Sequence, residues 1–314
     1  LGSKRLISII AFLIIAFLLL YIPLKEYVYE DFYFDTYVSV RIYSRNPIPA
    51  KKAIKKIQNE FKRIDTLKIR DIKKGETDTT LIHLIEKSLY FSRKTNGNFD
   101  PSIDPVLQKW NYFKEPTLPS KKEIASLLPF VDYKKVIMKS DTLSMPDNFS
   151  LNLGGSAKGY ALDRAKSILK EYGITSALID AGGDILLVGK KKGKDNWTIG
   201  IRNPRDENGI RGTLKVSDCF VFTSGDYERY FIIDGTRYHH IVNPFTGYPA
   251  RGTISATVVT NDGIEGDCIA TALIVMKTEE AKKYIKDNNI EAILIDSAGN
   301  IHKFIENTKV NIYE

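Results

Sequence analysis

The sequence predicts an α+β fold of mostly antiparallel, hairpin-rich sheets with flanking helices. Three observations point there. After position 175, short alternating runs recur around two-residue turn signals such as Gly182-Gly183 and Asp234-Gly235. Apolar residues at helical spacing mark several separate segments, among them 50–67. Hairpins interrupted by a few helices, with no internal repeat, do not make a regular strand–helix–strand winding.

The elements follow in chain order. Residues 6–22, LISIIAFLIIAFLLLYI, are almost wholly apolar and follow Lys4 and Arg5. That run is at the short end for a spanning helix. No small-residue cleavage site follows it, and no cysteine is placed for a lipid anchor, so an uncleaved signal anchor is expected. The two basic residues put 1–5 in the cytoplasm and the body outside it, as a membrane-anchored, extracytoplasmic or periplasmic domain. Residues 23–32 are taken as a linker and 33–314 as one domain. TYVSVRIYS (36–44) alternates like an edge or half-buried strand. Ala53, Ile57, Phe61 and Ile64 form the core stripe of a helix over 50–67, and a second helix over 79–95 stops before Gly97. The proline- and aromatic-rich stretch 98–120 is expected to be a long functional loop.

Further on, TSALIDAGGDILLVG gives two strands, NWTIGIRNP a third, and RYFIIDGTRYHHIVNP a hairpin. Residues 253–260 make another strand, 264–276 and 279–288 helices, and AILID with IHKFI a last hairpin through 297–300.

Composition excludes several classes. The chain has 314 residues, 43% hydrophobic, enough for a real core. Its net charge of +8 is scattered through helices and turns, so no nucleic-acid surface is expected. Cys219 and Cys268 lie far apart, and the four histidines form no cluster with them, which leaves no zinc-ligand spacing.

Three stretches carry chemistry. In NLGGSAKGYALD (152–163) paired glycines precede a helix start, where backbone amides favour an anion, and Lys158 adds a cation in the first turn. The Walker spacing is absent, and a tight turn with a solvated lysine fits these residues equally. In EGDCIATAL (265–273) Asp267 and Thr271 are spaced i and i+4, so a carboxylate and a hydroxyl share one helix face. Such a pair suits a hard ion such as Mg2+, although, taken alone, a first-turn acid favoured by the helix dipole is the better explanation. In YHHIVNPFTGYP (238–249) the adjacent His239 and His240 point to opposite sides of a strand. At most one of them faces a pocket, where a neutral imidazole takes a hydroxyl proton.

Together with GNFDPSIDPVLQKWNYF, LIDAGGDIL and SGDYERYF, these stretches resemble the FAD:protein FMN transferase (ApbE) family, in the family's order and over roughly 34–280. The resemblance implies an ApbE-like catalytic domain performing post-translational flavinylation. In that reaction FMN passes from FAD to a Ser or Thr hydroxyl of a flavoprotein, with Mg2+ and release of AMP. It implies Gly155, through its carbonyl, Asp267 and Thr271 as metal ligands. Phe34, Asn98, Phe99, Asp100, Asn152 and Lys158 are implied as flavin-nucleotide positions, and His240 as the group that activates the acceptor hydroxyl. The family suggests an acceptor among flavin-carrying subunits of ion-pumping electron-transfer complexes. FAD hydrolysis to FMN and AMP, or flavin binding without catalysis, are the alternatives. Three departures stand out. Asn152 replaces the family's usual Asp, Phe34-Asp35-Thr36 replaces Met-Gly-Thr, and the short charged segment 64–80 leaves an expected FAD contact without a counterpart.

Overall fold

The computed structural model describes residues 23–112, 114–139, 141–191, 193–306 and 309–313. The predicted anchor over 6–22 and its stub lie outside them. Among the described residues no helix is long and apolar enough to cross a membrane.

The framework is one eight-stranded antiparallel sheet. Along it run β1 (Lys25–Tyr33), β2 (Thr36–Ser44), β5 (Ala177–Ala181), β6 (Asp184–Val188), β9 (Phe220–Gly225), β12 (Thr253–Thr260), β13 (Glu291–Asp296) and β14 (Ile301–Phe304), in that spatial order. Its central strands are buried on both faces, which is why they read as unbroken apolar runs. In β9, Phe220 and Phe222 join the larger core while Val221 joins the second. Leu294 and Ile295 of β13 divide the same way.

Helices cover one face: α1 (Pro47–Asp65), α2 (Thr79–Lys94), α5 (Ala157–Glu171) and α6 (Gly263–Val275). Their apolar stripes, Ile57 and Phe61 of α1 and Leu84 of α2 among them, complete the larger core. Helix α6 is buried almost all round, as expected of a helix in the middle of a layer. The other face carries a three-stranded sheet of β7 (Trp197–Asn203), β8 (Asp206–Val216) and β15 (Lys309–Ile312). Smaller elements are α3 (Asp104–Trp110), α4 (Lys121–Leu127), α7 (Thr278–Asp287), the ribbon β3–β4 (Ile137–Lys139, Thr142–Ser144) and the hairpin β10–β11 (Tyr230–Ile233, Thr236–His239).

The α+β architecture and every hairpin expected after position 175 are present. Two expectations are corrected. Residues 23–32 are not a linker, because β1 pairs with β2 along its whole length from Lys25. Its charges hid it: Glu26 and Glu30 point outward to pair with Arg41 of β2, the charge pattern of a protected edge strand. Residues 98–120 are not one loop either. Pro101 opens a 3-10 turn and Pro105 sits in the first turn of α3, where a missing N–H costs nothing. Trp110 at the end of α3 then anchors the β10–β11 hairpin, packing on Phe231 and Tyr238 and donating from Nε1 to the Gly247 carbonyl (2.8 Å).

Candidate active site

Turns and helix starts converge on a cavity of about 540 Å3. Its walls are the β1–β2 turn, the β5–β6 turn, the end of β9, segment 65–70, the loop 152–158 and the chain from His240 onward. Both Phe34 and Asp35 adopt positive φ, +56° and +57°, the signature of a tight two-residue hairpin turn. Phe34 packs edge-on against Phe61 (5.6 Å) and its N–H donates to Asp65 (2.7 Å), so α1 fixes this wall.

The two helices that bring most of the chemistry cross where both have glycine. A Cβ on Gly159 would lie 2.2 Å from the Gly263 carbonyl oxygen. That close approach lets the helices cap one another. Ser156 makes no side-chain cap for α5, and instead Asp267 Oδ2 of α6 accepts from Gly159 N–H (3.0 Å). In return Asp163 of α5 accepts from the N–H groups of Gly263 (2.9 Å) and Ile264 (3.1 Å). Asp267 and Thr271 are thereby held against the 154–158 loop.

The charges in this corner are buried and mutually dependent. Burial, then the charge of Asp184, pushes the Asp267 carboxyl up, while Lys158 and the helix amides oppose it. Lys158 forms an ion pair with Asp184. Burial disfavours its ammonium, but Asp184 and Asp267 outweigh that and raise its pKa. Asp184 itself accepts from Thr223 N–H (3.2 Å).

His240 and His239 separate as strand geometry requires. His239 is a core residue whose Nε2 meets the Ala250 carbonyl (2.8 Å). His240 lines the cavity. As a residue it is half-buried, and its Nδ1 is shielded and has no partner. Burial, reinforced by His239 and Arg229, lowers its pKa to about 3, so the imidazole is neutral at physiological pH.

Of the flavin-nucleotide positions, Phe34, Phe99, Asp100, Asn152 and Lys158 line the cavity. Asn98 does not. It is buried at the end of α2, donating to the Thr95 carbonyl (3.0 Å) and to Glu280 (3.3 Å). Its place directly before Phe99 made it look like a cleft residue, but the turn after α2 sends it the other way. Asp100 accepts from Ser102 Oγ (2.6 Å) and from the N–H groups of Ser102 (2.8 Å) and Tyr133 (3.0 Å). Burial nevertheless pushes its pKa up to about 6.

Segment 64–80 reaches the cavity all the same: Leu67, Lys68, Ile69 and Arg70 form one of its walls. The wall is pinned by Leu153 N–H donating to the Ile69 carbonyl (2.8 Å) and by Arg70 donating to Asp35 (2.6 Å). Sequence reasoning missed this wall, together with Asp184, Arg229 and Ser224. Asp184 stands in the LIDAGGDIL stretch, and the presence of that stretch among the resembling segments was a usable signal.

The donor set fits a magnesium ion. Asp267 and Thr271 keep their i, i+4 alignment on α6, and a Cβ on Gly155 would lie 3.5 Å from Thr271 Oγ1, so all three residues adjoin. One carboxylate, one hydroxyl and one backbone carbonyl are hard oxygen donors, the chemistry Mg2+ prefers alongside substrate phosphate. Among the described residues no group of three or more His, Cys, Asp or Glu could hold a metal, so any ion here relies on neutral oxygens as well.

Residues 34–294 match the model of the ApbE family. The chain belongs to the ApbE family. It is 32% identical over 239 residues to the FAD:protein FMN transferase of Treponema pallidum, covering 69% of this chain and 66% of that protein, just under two thirds. A Klebsiella pneumoniae protein of the same name is 32% identical over 222 residues, covering 68% of each. Among solved structures, the ApbE protein of Thermotoga maritima superposes with a TM-score of 0.82 at 32% identity, over 89% of this chain and 97% of that one. The flavin transferase ApbE of Vibrio cholerae matches with a TM-score of 0.78 over 92% of this chain and 97% of its own, at 21% identity, which speaks for the shared ApbE fold.

Proposed function

We propose that this ApbE-family chain transfers FMN from FAD to a Ser or Thr hydroxyl of an acceptor flavoprotein, using Mg2+ and releasing AMP. The observation that carries the proposal is convergence. A neutral imidazole, a half-buried lysine and an adjoining carboxylate–hydroxyl–glycine set all face one cavity. The activity named for the Treponema and Klebsiella relatives supports the same reaction.

In this reaction the acceptor oxygen bonds to the FMN-side phosphorus of the FAD diphosphate. The bond from that phosphorus to the AMP-side oxygen breaks, and AMP leaves with the electron pair. His240 takes the hydroxyl proton, because an imidazole kept neutral has a ring nitrogen free to accept it. The charge of a bound diphosphate nearby raises that nitrogen's basicity. Lys158, kept protonated by Asp184 and Asp267, faces the diphosphate and offsets developing charge. Mg2+ held by Asp267, Thr271 and the Gly155 carbonyl would neutralise further phosphate charge. Phe34 and Phe99 offer apolar walls for the flavin and adenine rings.

The acceptor we propose is a flavin-carrying subunit of an ion-pumping electron-transfer complex. We also propose that the apolar run 6–22 anchors the enzyme with its domain outside the cytoplasm, on the strength of Lys4 and Arg5 before it. Reporter fusions after residue 30 test that topology. Incubating the full chain with FAD, Mg2+ and candidate acceptors, followed by intact-mass measurement, tests the reaction. A mass gain equal to FMN is expected. AMP release at the same rate without any acceptor would make the chain a hydrolase.

A further inference from the structure

Asp104 stands behind the cavity wall at the start of α3 and is 1% exposed. Its carboxylate accepts from three neutral donors: Ser150 Oγ (2.7 Å), Gln108 Nε2 (2.5 Å) and Asn152 Nδ2 (3.1 Å). Asn152 is spoken for on its other side as well. Its N–H donates to the Pro101 carbonyl (2.8 Å), and its Oδ1 accepts from Gly154 N–H (2.9 Å). A continuous chain of bonds therefore runs from Asp104 through Asn152 to the Gly154-Gly155 turn. Gln108 extends it the other way by donating to Asp71 (3.1 Å), the residue directly after the cavity-wall segment.

We propose that Asp104 is a positioning residue for the nucleotide site. It locks the Asn152 amide, and through it the Gly154-Gly155 turn, and it supplies from behind the wall the one carboxylate of this pair. This deepens the proposed function and rests on it for the ligand.

The lock follows from donor–acceptor arithmetic. With Nδ2 toward Asp104, both amide ends find complementary partners. Flipped, the amide oxygen would meet a carboxylate and the NH2 would meet the Gly154 N–H, so both bonds would be lost. A neutral residue at 104 removes the charge that makes the two orientations so unequal. The pair also explains Asn152. An aspartate at 152 would bring a second carboxylate to about 3 Å from Asp104 in a buried wall, where two like charges strongly disfavour joint ionisation. One carboxylate fits between these two positions, and here it sits at 104.

The test is a double-mutant cycle in the full chain: parent, Asp104→Asn, Asn152→Asp and both together. The measured quantities are the FAD dissociation constant by flavin fluorescence with Mg2+ present, KM and kcat for transfer, and Tm. Each single variant should weaken FAD binding about tenfold, and the exchanged pair should return to within about threefold of the parent. KM should follow the same pattern. If Asn152→Asp fails to fold, the exchanged pair must still bind FAD more tightly than Asp104→Asn alone. Additive losses in FAD binding would overturn the proposal. So would a cycle in which only Tm recovers, since that describes a packing role without positioning. If the cycle couples in FAD binding but the parent transfers no FMN, the reaction fails and the positioning role stands.

Discussion

Gly159→Ala should damage stability and turnover together, because one close helix crossing serves both. The added methyl would stand 2.2 Å from the Gly263 carbonyl oxygen, 2.6 Å from its carbon and 2.9 Å from Ile264 Cα. These are backbone atoms and cannot swing aside as a side-chain tip can. Ordinary carbon–oxygen contact lies about 1 Å farther out than the closest of these distances, so α5 and α6 must separate by roughly that much. Overpacking of this kind costs about 1–3 kcal/mol. For a chain this long that is a Tm drop of about 2–4 °C per kcal/mol, read by thermal melting. The separation also moves Asp267 and Thr271 away from the 154–158 loop and weakens the Asp267 cap on Gly159 N–H. A misplacement of about 1 Å in a reacting constellation can cost about a hundredfold in rate. Gly200→Ala is the control, since its methyl would meet only the Ile210 side chain at 3.4 Å. Unchanged Tm and unchanged turnover in Gly159→Ala, measured beside that control, would refute the close crossing as the device that assembles the site.

Other expectations concern the polar groups themselves. Asp267→Ala should abolish Mg2+-dependent transfer while Tm changes by only a few degrees, because it deletes one helix-cap acceptor worth about 1 kcal/mol and removes a carboxylate that burial already disfavours; Mg2+ titration of initial rates checks it, and undiminished turnover would remove Asp267 from the metal set. His240→Ala should slow transfer by about 10²–10⁴-fold with FAD affinity nearly kept, and lost FAD binding would make His240 structural. The depressed pKa of His240 also carries a sign for stability. The unfolded chain protonates this histidine below about 6.5, the folded one only near 3, so its contribution to stability is present above pH 6.5 and is lost as pH falls from 6.5 toward 3. Urea melts at pH 7.5 and 5 should therefore show a smaller loss at pH 5 in His240→Gln than in the parent, and equal losses would contradict the burial of that ring.

Legibility in the sequence tracked how local each feature is. The helix over 50–67 and the Asp234-Gly235 hairpin depend on periodicity and turn chemistry within a dozen residues, and both stand within a few residues of expectation. Asp267 and Thr271 were legible for the same reason, since i, i+4 spacing survives any packing of α6. Strand β1 was obscured because its outward positions carry Glu26 and Glu30, and only the pairing with Arg41 across the ladder shows why charges belong there. Strand β8, with Glu207, Gly209 and Arg211 interleaved, offered little alternation to find. The wall formed by 65–70 was invisible for a longer-range reason. Its position depends on Leu153 N–H meeting the Ile69 carbonyl, a bond across more than eighty residues that no local pattern encodes.

The least legible property of the site is its electrostatic balance, and that balance bears most directly on function. The position of Lys158 in a first helical turn gains nothing from the helix dipole, which made a ligand role arguable from sequence. In the structure Asp184 answers it from the start of β6, and the same Asp184 charge works against ionisation of Asp267. Two carboxylates and one ammonium are thus confined beside a neutral imidazole, in a corner where burial opposes the charges of Asp267 and Lys158. Such an arrangement is poorly explained as a device for stability, because buried ion pairs seldom repay their desolvation. The proposed reaction accounts for it, because that reaction brings a cation and a diphosphate to this corner. A cation relieves the repulsion between Asp184 and Asp267, and a diphosphate gives Lys158 a second partner and His240 a reason to accept a proton. The same logic separates Asp100 from this group: its three hydrogen bonds tie it to Ser102 and Tyr133, so it shapes the wall and leaves the charge chemistry to the corner where α5 and α6 cross.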